Sequence, residues 1–435
     1  IGRSQLNPAI DPAKRPARRH ADRLDPLRAQ GPPLGAADFA DQTGQHLSER
    51  QGIRTLGCGC HLARDGYPIA CHRHSQFGPA NVHAQFHGAI VAERCGAACH
   101  DPHFGNQGTC MRLWLKGIAL LSGALLFFAV AGVVATWAQD KPVRELAPRW
   151  ARAPSQFVEV QGMQVHLRDE GPGAGAPMAT DAPAPIVLLH GTSASLHTWE
   201  GWARDLRADR RVVRFDLPGF ALTGPNAQND YSIATYVKFV TAVVDQLGIQ
   251  RFVLGGNSLG GQIAWATAVA LPDRVAGLIL VDASGYGVDP RNAPLGFQLA
   301  GMPVARDLMA YTLPRGVVER TARYVYGQPE KVTPELVDLY VDMTLREGNR
   351  RALAYRVDGA QATDSARIRN LVLPTLILWG GRDRLTPPDS GRRFAGDIPG
   401  SRLVVWDELG HLPHQEDPQR TVVPLLRFLD GAAAN

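Results

Sequence analysis

Residues 256–260 read Gly-Asn-Ser-Leu-Gly, between a short apolar segment at 251–255 and a run of mostly small residues at 261–268. This order predicts a strand that turns sharply into a helix, with Ser258 at the turn. Glycines are favoured on both sides because a side chain there would collide with the tight backbone. The start of the helix also favours negative charge beside the serine oxygen. The stretch therefore predicts an exposed serine nucleophile at the end of a buried strand.

Further apolar segments predict the rest of a sheet. Residues 157–167 alternate like a β-hairpin, and the later strand candidates are 185–191, 211–216, 277–282, 374–379 and 402–406. Segments with helical character, 231–247 and 418–429 among them, separate these runs. Strands that alternate with helices are typical of a parallel sheet covered on both faces. We therefore predict an α/β fold, a mostly parallel sheet flanked by helices, with its core in 157–284 and 366–431.

Residues 285–365 interrupt this alternation. Their pattern is helical around 308–311, 317–326, 334–345 and 350–358. An insertion at this point predicts a helical cap above the carboxyl ends of the strands, where ligands bind in open α/β sheets. The apolar residues of the cap either line a substrate cavity or pack its helices together, and for any one residue packing is favoured.

An acid and a base follow the serine in the order that a hydrolytic triad requires. A serine hydroxyl is a weak nucleophile until a base removes its proton, and the base needs an orienting acid. Asp383 follows the strand at 374–379, and His411 follows the strand at 402–406, so both reach the same sheet edge as Ser258. Asp282 is the alternative acid and His414 the rival base.

The stretch from about 157 to 430 resembles the α/β-hydrolase family. The motifs are His-Gly-Thr at 190–192, Asp-Leu-Pro-Gly-Phe at 216–220, Gly-Asn-Ser-Leu-Gly-Gly at 256–261, Gly-Gly-Arg-Asp at 380–383 and Gly-His at 410–411. The resemblance implies that Ser258 attacks an acyl carbonyl, that His411 moves its proton and that Asp383 orients the imidazole. It implies no metal and no organic cofactor.

The resemblance also suggests residues around the triad. The backbone N–H groups of Thr192 and Leu259 would form the oxyanion hole. His190, Asn257 and Trp199 are candidate substrate contacts, although His190 is better suited to shaping the oxyanion turn and Trp199 to packing.

A serine at the elbow favours acyl transfer, because relatives of this fold that form alkyl esters use aspartate there. We predict a serine esterase that cleaves a small-molecule carboxylic ester through an acyl-enzyme. The motif at 256–261 also resembles that of hydrolases that cleave carbon–carbon bonds in the products of aromatic ring cleavage. Lactonase or haloperoxidase-like activity is compatible with it as well. From another class, a non-catalytic ligand-binding module is the alternative.

The first 110 residues differ from the rest of the chain. They contain all six cysteines, at positions 58, 60, 71, 95, 99 and 110. Residues 1–110 show no sustained period, which predicts low order. We expect Met111 to be the true start of the protein. The alternative, a metal-binding domain built on the cysteines and nearby histidines, has irregular ligand spacing that does not match zinc sites.

Residues 111–139 look like a membrane segment. Arg112 and Lys116 precede 117–138, which is 22 residues without a charge, and about 20 suffice to span a bilayer. We predict a transmembrane or signal-anchor helix, then a linker at 140–156, with the catalytic part outside the cytoplasm on the periplasmic side. Secretion after cleavage behind Ala138 is the alternative.

Charge bears on possible partners. The net charge is +5 and the basic residues are scattered, so no nucleic-acid partner is indicated. The sequence carries no signal for a particular oligomeric state.

Overall fold

The computed structural model describes residues 107–176, 182–287, 290–358 and 364–432. The prediction of low order covers residues 1–110, of which 107–110 are described and begin a helix. The rest of that prediction, and the alternative metal site in the N-terminal region, lie outside the described residues.

The described part is built on an eight-stranded sheet. Its strands are β1 Gln156–Val160, β2 Met163–Glu170, β3 Ile186–Leu189, β4 Val212–Phe215, β5 Phe252–Asn257, β6 Val275–Val281, β7 Thr375–Gly380 and β8 Arg402–Trp406. Their spatial order is β1-β2-β4-β3-β5-β6-β7-β8. β1 and β2 pair antiparallel, β2 runs antiparallel to β4, and all the remaining pairs are parallel. The predicted α/β fold is confirmed.

Helices cover both faces of this sheet. In chain order they are α1 Gln107–Ala135, α2 Val143–Trp150, α3 Glu200–Leu206, α4 Ile233–Gln246, α5 Leu259–Ala270, α6 Leu295–Ala300, α7 Pro303–Met309, α8 Arg315–Val325, α9 Pro334–Leu345, α10 Asn349–Asp358, α11 Pro388–Asp397, α12 Pro413–Glu416 and α13 Pro418–Ala432. Strand β3 shows why the central strands read as continuous apolar runs. Its Val187 and Leu189 pack in a cluster with α4 and α5, whereas Ile186 and Leu188 face a cluster that includes α3 and α13.

Helices α6 to α10 lie between β6 and β7, where the sequence predicts the inserted cap. The segment interpreted as a linker, 140–156, is structured in part, because it contains α2. Leu146 of α2 is buried against Leu222, Leu339 and Met343. One buried apolar residue in eight gives little periodic signal, so the sequence pattern did not indicate this helix.

Helix α1 contains the segment predicted to enter a membrane. Within the described residues it is the helix long and apolar enough to cross a bilayer, over Met111–Ala135, and no residue of its apolar 18-residue window is buried. By length and composition it is compatible with a membrane anchor or a signal sequence.

Candidate active site

Ser258 occupies the sharp turn between β5 and α5. Its backbone has φ 54° and ψ −116°, a conformation that non-glycine residues rarely adopt and that costs about 1–3 kcal/mol. Neighbouring backbone holds it in place. The Ser258 N–H donates to the Val281 carbonyl at 3.1 Å, and the Ser258 carbonyl accepts from Ser284 at 3.0 Å. The strained elbow predicted from 256–260 is therefore present, with its serine half-buried.

The elbow depends on Gly256, and we expect Gly256→Ala to destabilise the protein. A Cβ at Gly256 would collide with the backbone carbonyl of Gly260. We predict a loss of at least about 3 kcal/mol and a Tm lower by roughly 6 °C or more. The matched control is Gly396→Ala in α11, where a Cβ meets nothing within 4 Å. Thermal unfolding followed by circular dichroism measures both, and an unchanged Tm for Gly256→Ala would show that the turn relaxes without strain.

Asp383 and His411 form a buried pair beside the elbow. The His411 Nδ1 lies 2.7 Å from Asp383 Oδ2. The other carboxylate oxygen accepts the N–H groups of Leu385 at 2.8 Å and Thr386 at 3.1 Å, and the Thr386 hydroxyl donates to Oδ2 at 2.5 Å. These donors fix the carboxylate so that it faces the imidazole, and a carboxylate in that position keeps the proton on Nδ1. Thr386 has no motif signal in the sequence.

Hydrogen bonds to the cap and to the serine elbow hold the His411 loop in place. The His411 N–H donates to the carbonyl of Val325, at the end of cap helix α8, at 2.8 Å. The His411 carbonyl accepts the side-chain amide of Asn257 at 3.0 Å. Because Asn257 precedes Ser258, this second bond places the base loop next to the serine elbow. Glu416 accepts from Gly410 at 2.8 Å and from Gly327 at 2.9 Å, so it ties the same loop to the cap.

Asp282, the alternative acid, lies against the pair and does not bond to the imidazole. Burial and the charge of Asp383 raise the pKa of Asp282 well above its usual range. Its Oδ1 accepts the N–H of Gly380 at 2.9 Å. Its Oδ2 has no hydrogen-bond partner among the described residues. A carboxyl oxygen of Asp282 lies within 4.8 Å of one of Asp383, and a second negative charge at this distance disfavours the ionised form of Asp282.

His414, the rival base, is a core residue. Its ring stacks on Trp199 with centroids 4.0 Å apart, and its Nε2 lies 2.9 Å from the Thr198 hydroxyl. Burial lowers the pKa of His414 well below its usual range, so the ring is neutral. Trp199 is fully buried between His414 and Trp202. We infer that Trp199 packs the core and does not contact substrate.

The His-Gly-Thr turn lies directly against the serine. A Cβ at Gly191 would be 3.1 Å from the Ser258 Cβ. His190 is fully buried, burial lowers its pKa, and its Nε2 accepts the N–H of Leu217 at 2.9 Å. The ring proton is therefore on Nδ1, which donates to the Gly191 carbonyl at 2.8 Å. Both ring nitrogens are engaged, so His190 shapes this turn and has no polar group left for substrate.

The two predicted oxyanion residues flank this arrangement. Thr192 follows the turn, and Leu259 begins α5, where the first N–H groups of a helix have no partner within the helix. Asn257, the third candidate substrate contact, uses its amide nitrogen on the carbonyls of Val281 and His411, and its buried Oδ1 has no partner within the described range.

Arg356 is a residue near the site that sequence analysis missed. It belongs to cap helix α10, and its Nη2 donates to the Thr192 hydroxyl at 3.1 Å. Burial lowers the pKa of its guanidinium, and the Nε has no partner among the described residues. No motif around 356 indicated this contact, which depends on the folding of the cap over the oxyanion turn.

Within the described residues, the groups that could hold a metal are those of the triad region. Asp282, Asp383 and His411 each offer a ligand atom, and these atoms lie within 4.8 Å of one another. The hydrogen bond between His411 and Asp383 already engages two of these three groups with each other, and we assign no metal to the cluster.

A surface cavity of about 840 Å³ lies elsewhere, against α2, the β1–β2 hairpin and the loop at 222–228. None of the candidate site residues lines it, and we do not assign substrate to it.

Comparisons with known proteins agree with this geometry. A family model described as the alpha/beta hydrolase fold matches residues 184–418. A 2-hydroxymuconate semialdehyde hydrolase of Pseudomonas putida is 30% identical over 303 residues, which cover 65% of this chain and 98% of that protein.

Two solved structures share the fold. A meta-cleavage product hydrolase from Pseudomonas fluorescens IP01 has 23% identity and a TM-score of 0.54, covering 64% of this chain and 98% of that one. A membrane phospholipase A has 24% identity and a TM-score of 0.54, covering 74% of this chain and 99% of that one. The elbow, the strand order and these matches lead to one conclusion: the chain belongs to the α/β-hydrolase family and is a hydrolase.

Proposed function

We propose that this hydrolase cleaves carboxylic esters through a Ser258–His411–Asp383 triad while attached to a membrane by α1. The observation that carries the proposal is the 2.7 Å bond between His411 and Asp383 on a loop that Asn257 ties to the serine elbow. That arrangement supplies a nucleophile, a base and an orienting acid in one place.

The proposed reaction has two stages. His411 Nε2 takes the proton of Ser258 as the serine oxygen attacks the ester carbonyl, and Asp383 stabilises the imidazolium. The N–H groups of Thr192 and Leu259 would hold the oxyanion of the tetrahedral intermediate. The imidazolium then protonates the departing alcohol, leaving an acyl group on Ser258. A water molecule, deprotonated by His411, hydrolyses that acyl-enzyme.

Carbon–carbon bond cleavage is the second candidate. It is favoured by the 30% identity to a 2-hydroxymuconate semialdehyde hydrolase, a relative whose length this chain covers almost completely. The candidate triad suits either substrate, because both reactions pass through an oxyanion beside an activated nucleophile. We prefer the ester because α1 suits an enzyme whose substrates partition into lipid.

Steady-state kinetics with matched substrates tests this choice. The panel contains p-nitrophenyl esters of rising acyl length, a lactone and a 2-hydroxy-6-oxo-dienoate, with the Ser258→Ala protein as the background. We expect kcat/KM for the best ester to exceed that for the dienoate by at least about tenfold. The reverse order would replace the ester proposal with carbon–carbon bond hydrolysis.

We also propose that α1 keeps the catalytic part outside the cytoplasm, on the periplasmic side. Arg112 and Lys116 stand before the apolar stretch, and basic residues are enriched on the cytoplasmic side of membrane helices. Protease added to spheroplasts should digest the catalytic part in this orientation, whereas protection until the membrane is permeabilised would place it in the cytoplasm.

A further inference from the structure

The chain that leaves α1 joins the cap directly. Trp137 forms an antiparallel bridge with Thr312, just after cap helix α7. The N–H of Ala138 donates to the Tyr311 carbonyl at 2.9 Å, and the N–H of Leu313 donates to the Thr136 carbonyl at 3.1 Å. Since α1 ends at Ala135 and two residues reach at most about 7 Å, this part of the cap lies close to the end of the apolar helix.

A second set of contacts makes this junction firm. The Lys141 N–H donates to the Leu345 carbonyl at 2.7 Å, and its ammonium lies 2.9 Å from an Asp342 oxygen. The Arg350 guanidinium bonds to Asp140 at 2.6 Å. Backbone bonds together with part-buried ion pairs hold the segment against the cap better than exposed ion pairs alone would.

An apolar surface stands beside the junction. Val304 and Leu308 are four positions apart in α7, which places them on one face of the helix, and Tyr311 follows the helix end. These three side chains are 76%, 44% and 46% exposed. Trp137, itself 54% exposed, stacks on Tyr311 with ring centroids 5.4 Å apart. We call these four residues the cap patch.

Among the described residues outside α1, exposed apolar side chains are concentrated at Trp137 and in the cap segment 295–311. Among the described residues outside α1, eleven large apolar side chains are exposed, and six of them are Trp137, Leu295, Met302, Val304, Leu308 and Tyr311. Contiguous exposed apolar surface marks a site of interaction.

We propose that the cap patch is a second membrane contact, which rests in the headgroup and acyl boundary of the bilayer that α1 enters. The inference rests on the proposed anchoring by α1. A lipid surface is the favoured occupant because the patch is continuous with the end of the anchor, and because Trp and Tyr are the side chains that prefer the membrane interface. By helical spacing, Arg306 of α7 lies on the opposite side of the helix from Val304, and Asp307, three residues after Val304, borders the face that Val304 and Leu308 share.

The proposed membrane contact of the cap patch would determine the route by which substrate reaches the candidate site. Cap helix α8 bonds to the His411 loop and cap helix α10 to Thr192, so a cap held at the interface positions the candidate site next to the lipid. Esters dissolved in the membrane would then reach the site without crossing bulk water.

Site-specific photocrosslinking in the full chain tests the proposal. p-Benzoylphenylalanine replaces Val304 in one variant, Leu121 of α1 in a second and Val372 in a third. Val372 is the matched control because it is 88% exposed and precedes β7, at the opposite edge of the sheet from Ser258. Each variant is reconstituted in vesicles of phosphatidylcholine and phosphatidylglycerol and irradiated, and lipid adducts are identified by mass spectrometry.

We expect lipid adducts at 121 and 304 and none at 372. Adducts at 121 without adducts at 304 would overturn the cap contact while leaving the anchor in place. No adduct at 121 would overturn the proposed anchoring, and the cap contact with it. Equal adducts at 304 and 372 would also overturn the proposal, because the labelling would then not depend on the patch.

Discussion

Replacing Ser258 with alanine should lower kcat on a p-nitrophenyl ester by at least about a thousandfold. The substitution removes only the hydroxyl group. Without this nucleophile, the base and the oxyanion hole have no covalent step to assist. Alanine fits the elbow no worse than serine does, since both must adopt a φ of 54°. We therefore expect the Tm to stay close to that of the wild-type protein.

The matched control is Ser284→Ala. Ser284 lies beside the elbow and contacts Ser258 through its backbone N–H, which the substitution retains. The control should keep wild-type kcat. A Ser258→Ala protein that retained more than roughly a tenth of the activity would contradict a nucleophilic role for this serine.

Asp383→Asn should lower kcat by a factor of about ten thousand. Asparagine can present its amide hydrogens to the ring, which favours the wrong tautomer of His411 and removes the charge that stabilises the imidazolium. The Leu385 and Thr386 N–H groups can still bond to the amide oxygen, so the fold should survive. Steady-state kinetics and a Tm measurement separate the two effects.

Asp282→Asn is the matched comparison for Asp383→Asn, because Asp282 is the alternative acid. Asp282 makes no bond to His411, and burial and the charge of Asp383 raise its pKa. We therefore expect its neutral form, which an asparagine can replace. We expect kcat within roughly fivefold of wild type. A loss at Asp282→Asn as large as that at Asp383→Asn would mean that the charge resides on Asp282, and would make it the acid.

The sequence predicted the parts of this protein that depend on local pattern. Strand β3 is buried on both faces, so Val187 and Leu188 read as one apolar run although they point to opposite layers. The elbow at Ser258 needs flanking glycines, and the sequence itself shows them at Gly256 and Gly260. Asp383 and His411 were indicated by their positions after strands, since parallel strands end at the same sheet edge.

Other features of the site depend on contacts between distant parts of the chain. The cap reaches the oxyanion turn through Arg356 and Thr192, which are 164 positions apart. The raised pKa of Asp282 depends on burial and on the nearby charge of Asp383, and neither can be read from residue spacing. Trp199 stacks on His414 in the core, a contact between distant residues that residue spacing does not reveal.

The N-terminal junction shows the same limit. Residues 140–156 read as a linker because they contain proline and charge with little apolar pattern. In the structure their charges pair with the cap, as Lys141 does with Asp342 and Asp140 with Arg350. Each partner is some two hundred residues away. Charges that look solvated in the sequence therefore attach the segment after α1 to the cap.

Covalent labelling with a fluorophosphonate probe, followed by mass spectrometry of the digested protein, tests the proposed nucleophile most directly. We expect one phosphonyl adduct on the peptide that carries Ser258, retained in Ser284→Ala and absent in Ser258→Ala. Folded wild-type protein that takes up no label, or that carries the adduct on another residue, would contradict it.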